Sequence, residues 1–221
     1  VFSQNHDHVG NRMLGERTSA LVSFEMLKLM AAAVFCSPFI PLIFMGEEYG
    51  ESNPFQFFIS HSDKDLVEAV RQGRRAEFAA FHHSDETPDP QGEETFNRSK
   101  LNWKQLQEHK YETLLAYYKA LIALRKSYPA LNQLNRNDVF AEAFEDRNSL
   151  TLVRSYKNQK VCCFMNFSKG PQVFQYDETK AQVIFNSAST QWGGNDAEIA
   201  QLDHSIKVSP ESILILESNH V

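Results

Sequence analysis

The chain has 221 residues, of which 42% are hydrophobic and 23% are charged. These fractions are close to those of folded globular domains, so they exclude a fully disordered chain and a low-complexity fibre. The formal net charge is −6. An acidic chain lacks the basic surface that nucleic-acid binding requires, so no nucleic-acid partner is expected.

The cysteines and the most apolar stretch indicate the cellular location of the protein. Three cysteines do not indicate a disulfide framework, which favours reduced thiols and a cytoplasmic protein. The stretch 21–35 is interrupted by Ser23, Glu25 and Lys28, which predicts a buried helix and no membrane partner. The first residues, from Val1 onward, are typical of the end of a buried strand. A domain rarely begins inside such a strand, so we expect this chain to be a C-terminal piece of a longer protein.

The first 50 residues predict a strand–helix–strand unit. Residues 1–4 predict the end of one strand, and residues 39–45 form an apolar run that is typical of a strand buried on both faces. Between them, residues 18–36 predict a largely buried helix with Thr18 or Ser19 as its N-cap. The two strands should be parallel, because a crossover helix connects them.

Two further helices and a loop are expected before residue 130. Ser62 and Asp65 resemble a capping box that opens a helix over residues 63–81. Residues 82–99 are mostly polar, Pro and Gly, which predicts an exposed, mobile loop. Leucines and aromatic residues at helical spacing predict a strong helix over residues 110–127.

The pattern changes near residue 132 to short runs that alternate in polarity and are separated by turn residues. This pattern predicts a second domain, an antiparallel β-sandwich over residues 132–221, after an α/β portion over residues 1–131. The predicted strands are 138–145, 149–156, 161–167, 173–176, 183–185, 205–208 and 213–216.

Polar side chains follow the first predicted strand, at Asn5, His6, Asp7 and His8. In parallel α/β folds ligands bind at the carboxyl ends of the strands, so a carboxylate there can hold sugar hydroxyls or stabilise a cation. The alternative is that Asp7 caps the following turn. A metal site is disfavoured because neighbours on a strand point to opposite faces, so no metal and no cofactor are predicted.

Glu47 and Glu48 occupy the same position after the second predicted strand, and Phe55 lies in the loop beyond them. The two carboxylates are candidates for binding a polar ligand, and the aromatic ring is a candidate for stacking on a sugar. Alternatively, the glutamates form solvated ion pairs and the phenylalanine is part of the core. Trp192, in a turn of the sandwich, is expected to pack in the core.

Longer segments resemble a known family. Residues 1–7, VFSQNHD, and residues 41–50, PLIFMGEEYG, resemble the strand-seven and strand-eight segments of the α-amylase superfamily of glycoside hydrolases. Residues 5–17, NHDHVGNRMLGER, and residues 54–81 narrow the resemblance to the malto-oligosyltrehalose trehalohydrolases. The implied fold is the C-terminal part of a (β/α)8 TIM barrel, with its last two strands and helices, followed by the β-sandwich.

The resemblance implies a retaining α-glycosidase that cuts the α-1,4 bond next to the trehalose end of malto-oligosyltrehalose. Asp7 would stabilise the transition state, and His6 would bind the same sugar. Arg12, Glu47, Glu48 and Phe55 would help to bind substrate. The nucleophile and general acid of such enzymes follow strands four and five, which this chain lacks, so the chain alone should be inactive.

The sequence leaves two alternative functions open and predicts self-association. The chain is alternatively part of a glycogen-branching-type glucan transferase, or a non-catalytic carbohydrate-binding module. Exposed barrel surface is expected to cause self-association of the fragment.

Overall fold

The computed structural model describes residues 1–79, 87–176, 181–196, 201–202 and 204–219. The chain divides into two compact units. The first comprises residues 1–3, 23–42 and 109–221, and the second comprises residues 4–22 and 43–108.

The described residues form seven α-helices and eight β-strands. The helices are α1 His6–Gly10, α2 Thr18–Leu21, α3 Phe24–Cys36, α4 Lys64–Ala79, α5 Glu93–Arg98, α6 His109–Ser127 and α7 Pro129–Asn132. The strands are β1 Val139–Phe144, β2 Ser149–Tyr156, β3 Gln159–Asn166, β4 Gln172–Gln175, β5 Gln182–Asn186, β6 Gln201–Leu202, β7 Ser205–Val208 and β8 Ser212–Asn219.

The first unit contains the predicted antiparallel β-sandwich. Among the described residues, one sheet has five strands in the order β1-β2-β3-β8-β5, and the other has three in the order β4-β7-β6. Every strand pair in both sheets is antiparallel. All seven predicted strands are confirmed. The short strand β6 was missed, because two residues are too few to show an alternating pattern.

The central strands of the large sheet are buried on both faces. One face of β3 and β8 meets the second sheet in a shared apolar core of Cys162, Phe164, Phe174, Ile206, Val208, Leu214 and Leu216. The intervening residues Val161, Cys163, Ile213 and Ile215 are also fully buried. Helix α3 contacts β3 and β8, so it covers this strand pair.

A buried lysine ties α3 to the sandwich within the first unit. The Lys28 ammonium donates to the carbonyls of Ser187 and Trp192 at 2.9 and 3.0 Å, and it lies 5.2 Å from the centre of the Phe24 ring. Burial lowers the pKa of Lys28. Trp192 is itself buried and packs on Tyr117 with ring centroids 5.4 Å apart, as expected for a core tryptophan.

The predicted helix over residues 18–36 is interrupted. Helix α2 ends at Leu21, and α3 begins at Phe24. The N-cap of α3 is Ser23, whose hydroxyl accepts from the Met26 amide at 3.0 Å, so the prediction of Thr18 or Ser19 as its cap was wrong. Ser23 restarts the helix because its side chain satisfies an amide that the broken turn leaves without a carbonyl partner.

The two predicted barrel strands are not regular strands in this chain. In the first unit, Val1 donates its amino group to the Ile40 carbonyl and accepts from the Leu42 amide, both at 2.9 Å. These two bonds are the start of a parallel pair. Parallel pairing is found almost only in sheets that are covered on both faces, and these two segments pair through only two hydrogen bonds.

The second unit corrects two details of the prediction. Helix α4 is capped by Asp63, whose carboxylate accepts from the amides of Asp65 and Leu66 at 2.9 and 3.2 Å, and not by Ser62. The expected loop at residues 82–99 contains helix α5, while its residues 82–86 lie outside the described part of the chain. No described helix has both the length and the apolar composition needed to cross a bilayer.

Candidate functional site

His6 and Asp7 open helix α1 in the second unit. The N-cap is Asn5, whose side-chain oxygen accepts from the His8 amide at 2.8 Å. Asp7 therefore lies in the first turn of a helix, where the helix dipole favours a negative charge. The capping role that was the alternative for Asp7 belongs to Asn5.

The His6 and Asp7 side chains form an exposed pair. The His6 Nε2 lies 3.3 Å from the Asp7 carboxylate, and the two side chains are 69% and 66% exposed. Since both are presented to solvent on a short capped helix, a carboxylate and an imidazole are available together for hydrogen bonds to a polar ligand.

The far end of α1 is fixed to helix α4. The Arg74 guanidinium donates to the Gly10 carbonyl at 3.0 Å and lies 4.8 and 4.7 Å from the ring centres of Phe57 and Phe78. A planar cation that stacks on two rings has little freedom to move. The segment that presents His6 and Asp7 is therefore held on a rigid support.

Phe55 is packed beside the same segment, and Arg12 is not. Gly15 has a φ of +69°, and a Cβ there would lie 2.6 Å from the Phe55 carbonyl, so only glycine fits this close approach. The Phe55 ring is half-buried and meets Phe44 edge to face at 5.2 Å, which places it in an aromatic cluster. Arg12 follows α1 and is exposed.

The two adjacent glutamates differ in their surroundings. They open a short 3-10 turn between Gly46 and Gly50, whose φ values are +84° and +75°. Glu47 is buried, and its carboxylate accepts from the Phe44 amide at 3.1 Å, so it holds its own turn together. Glu48 is half-buried and remains the more accessible of the two to a ligand.

Two charged residues that no sequence motif indicated, Glu51 and Arg17, organise this loop. Glu51 is fully buried and accepts from the Tyr49 hydroxyl at 2.8 Å and from the amides of Asn53 and Asn102 at 2.7 and 2.6 Å. Burial and the bond to Glu51 raise the pKa of Tyr49. No local pattern distinguishes Glu51 from the neighbouring glutamates, because its donors come from distant positions.

Arg17 is the second such residue. Its guanidinium donates to the carbonyls of Met45 and Asn53, both at 2.8 Å, and lies 5.1 Å from the centre of the Phe44 ring. Burial lowers the pKa of Arg17, and Glu51 is the strongest of the groups that oppose this. Arg17 thus joins the segment after α1 to the loop that carries the glutamates.

The exposed carboxylate and imidazole of α1 suit hydrogen bonding to a polar ligand. The described residues hold no group of three or more His, Cys, Asp and Glu side chains arranged to bind a metal ion. Of the predicted carboxylates, Asp7 is the most exposed, and Glu47 is occupied by its own turn.

Comparison with known proteins gives a consistent set of relatives. No protein-family model matches the chain. Seven curated proteins at 39–51% identity carry the name malto-oligosyltrehalose trehalohydrolase. The protein of Saccharolobus solfataricus is 51% identical over 58% of this chain and 21% of its own length. That of Rhizobium sp. is 40% identical over 77% of this chain and 28% of its own length.

A solved structure agrees with these relatives. A protein from Salmonella typhimurium that is assigned as an α-amylase matches 98% of this chain and 35% of its own length, with a TM-score of 0.79 and 32% identity. The expected resemblance to the trehalohydrolases and to the α-amylase fold is confirmed. The chain spans about a quarter of the length of the curated relatives it matches.

Proposed function

We infer that this chain is the C-terminal part of a malto-oligosyltrehalose trehalohydrolase, a retaining α-glycosidase of the α-amylase superfamily. The enzyme would hydrolyse the α-1,4 bond next to the trehalose end of a malto-oligosyltrehalose and release trehalose. The observation that carries this proposal is that all seven curated relatives share that one name. We propose residues 1–131 as barrel and residues 132–221 as the C-terminal domain.

Within this proposal, Asp7 stabilises the transition state. Glycoside hydrolysis passes through an oxocarbenium-like state, in which positive charge develops on the sugar ring. A fixed carboxylate binds that charged state more strongly than the neutral substrate, which lowers the barrier. The exposure of Asp7 and the rigid support of α1 favour this role. His6 would donate a hydrogen bond to the same sugar, and Arg12, Glu48 and Phe55 would line the approach.

The chain as given would lack hydrolase activity. Retention requires a nucleophile and a general acid about 5–5.5 Å apart, and the family places both in segments that precede this one. Glu47 does not substitute for either, because its carboxylate is bound to the Phe44 amide. We also propose a cytoplasmic location, which three buried cysteine thiols favour.

The test is an assay of products. The full-length protein should release trehalose from maltotriosyltrehalose, and the other product should first appear as the α-anomer in proton NMR. The 221-residue chain should release no more trehalose than a protein-free control. Transfer of glucan to a sugar acceptor without trehalose would contradict the proposal and indicate a branching-type enzyme. Trehalose release by the chain alone would contradict the assignment of the missing residues.

A further inference from the structure

The two sheets of the sandwich differ in width, and a cleft lies where they do not overlap. Strand β7 of the smaller sheet contacts β3 and β8. Strands β1 and β2 continue the larger sheet beyond β3, and their inner face lines a cleft of about 450 Å³ beside β4. Pockets of roughly 300–1,000 Å³ are typical of small-ligand sites.

Strand register explains which side chains face the cleft. Phe140 lies opposite Val153, and Glu142 lies opposite Thr151, so side chains of alternate positions on β1 and β2 point to the same side as the sandwich core. All four line the cleft. Phe140 is 58% exposed and Glu142 is also exposed. The face therefore presents an aromatic ring and a carboxylate side by side.

Aromatic rings and the cation of Arg147 form a large part of the remaining wall. Phe174 and Tyr176 of the β4 segment both pack against Phe164, with ring centroids 5.2 and 5.5 Å apart. The Arg147 guanidinium lies 4.1 Å from the centre of the Phe144 ring and donates to the Val173 carbonyl at 3.0 Å. Arg147 thus bridges the two sheets at one end of the cleft, which fixes its shape.

We propose that this cleft binds a neutral oligosaccharide. Sugar rings offer an apolar face that packs on exposed aromatic rings and a rim of hydroxyls that both donate and accept hydrogen bonds. The cleft supplies the exposed Phe140 ring and the half-buried rings of Phe144 and Tyr176. One carboxylate, Glu142, and two cationic side chains, Arg147 and Lys160, also line it. The net charge of these side chains is only +1, and the Arg147 guanidinium is already bound to the Val173 carbonyl, so the cleft lacks the cluster of available cations that an anionic ligand needs. The polar groups also interrupt the apolar surface that a protein helix would need.

The site and its ligand class follow from the cleft itself, whereas the choice of an α-1,4-linked probe rests on the proposed function. The experiment titrates the isotopically labelled 221-residue chain with maltotetraose and, separately, with cellotetraose, and follows the backbone amides by NMR. Three variants are compared with the parent chain: Phe140→Ala, Glu142→Gln and the control Phe39→Ala. Phe39 is 41% exposed in the same unit and is not among the residues that line the cleft.

Saturable shifts of β1, β2 and β4 amides are expected. Phe140→Ala should weaken binding about tenfold, because it removes the most exposed apolar contact area. Glu142→Gln, which preserves shape and folding, should weaken it about threefold, and Phe39→Ala should leave it unchanged. Binding of cellotetraose alone with the same variant effects still supports the cleft but counts against the proposed function. Three results would overturn the proposal. They are the absence of saturable shifts, shifts confined to α1, and shifts that disappear on dilution because they report the pairing of two chains.

Discussion

Glu51 and Asp7, two carboxylates of the second unit, differ in their surroundings, and this difference indicates a structural role for one and a binding role for the other. Glu51 is fully buried and accepts three hydrogen bonds, so its charge is used to fix the loop. Asp7 is 66% exposed, with His6 at 3.3 Å. A buried carboxylate with satisfied oxygens has little left to offer a ligand, whereas an exposed one on a supported helix can bind. This contrast favours Asp7 over the glutamates as the residue that touches substrate.

Replacement of Asp7 by asparagine in the full-length enzyme should reduce kcat by about two to four powers of ten, with a much smaller change in KM. The reason is that the negative charge interacts most strongly with the charged transition state, so its loss appears mainly in kcat. Steady-state assays of trehalose release measure both constants.

The matched control for this change is Asp65→Asn. Asp65 is also an exposed aspartate in the first turn of a helix, α4, and its replacement should leave kcat and KM near their original values. Equal losses in the two variants would indicate a general effect on folding. Near-normal turnover of the Asp7 variant would show that Asp7 lies outside the site.

At the scale of elements, the sequence predicted most accurately those strands that local turns delimit. Strands β2 and β7 have the predicted bounds, because their ends are marked by residues such as Asn148 and His204 with positive φ. The runs of β3 and β8 are apolar on both faces because helices cover the second face, which simple alternation does not reveal. Residues 1–4 and 39–45 have strand-like sequences, but a ladder also needs partners that only tertiary structure supplies.

The candidate site shows the same division between local and distant signals. Asp7 is proposed from a short motif, whereas the structural roles of Arg17 and Glu51 depend on contacts with residues up to 51 positions away. Helix boundaries failed for a related reason. Ser62 and Asp63 are neighbouring candidates for the N-cap of α4, and their capping propensities are similar. The same holds for Ser19 and Ser23 as candidates for the N-cap of α3. In each case the choice depends on where the backbone turns.

Helices α3 and α6 are joined by a tyrosine that should make stability depend on pH. The Tyr117 hydroxyl donates to the Lys28 carbonyl at 3.0 Å, and burial raises the pKa of Tyr117 well above its ordinary value. A raised pKa in the folded state stabilises the protein below pH 10, and this contribution is lost as the pH rises further because only the unfolded state ionises.

Tyr117→Phe should therefore cost about 1 kcal/mol in the free energy of unfolding at pH 7, the typical value of a hydrogen bond. Between pH 10 and 11 the difference from the parent chain should shrink, because the variant has no hydroxyl to ionise. Urea unfolding followed by circular dichroism at each pH measures this, with Tyr111→Phe in the same helix as the control. A constant or widening difference would be inconsistent with a buried, neutral Tyr117.

At the scale of the whole molecule, the first unit exposes apolar side chains on two segments whose backbones are hydrogen-bonded to each other. Ile40 is 71% exposed, Leu42 is 53% exposed and Val1 is 45% exposed. The backbones of these three residues are joined by hydrogen bonds, so the side chains belong to one local surface. Such a surface, beside the start of a parallel strand pair, tends to associate with another chain.

We predict that the 221-residue chain self-associates through this surface, and that the double substitution Ile40→Lys and Leu42→Lys shifts it toward the monomer. Two added positive charges on each chain would repel in a contact between copies and would carry a desolvation cost there. Sedimentation velocity over a hundredfold concentration range should show association in the parent chain and an increase of at least tenfold in the dissociation constant of the variant. Leu134→Lys, at a leucine of the same unit that is 49% exposed, controls for the loss of an exposed apolar side chain elsewhere and should leave association unchanged. A parent chain that stays monomeric at every concentration would refute the prediction, and equal effects of the variant and the control would place the contact on a different surface.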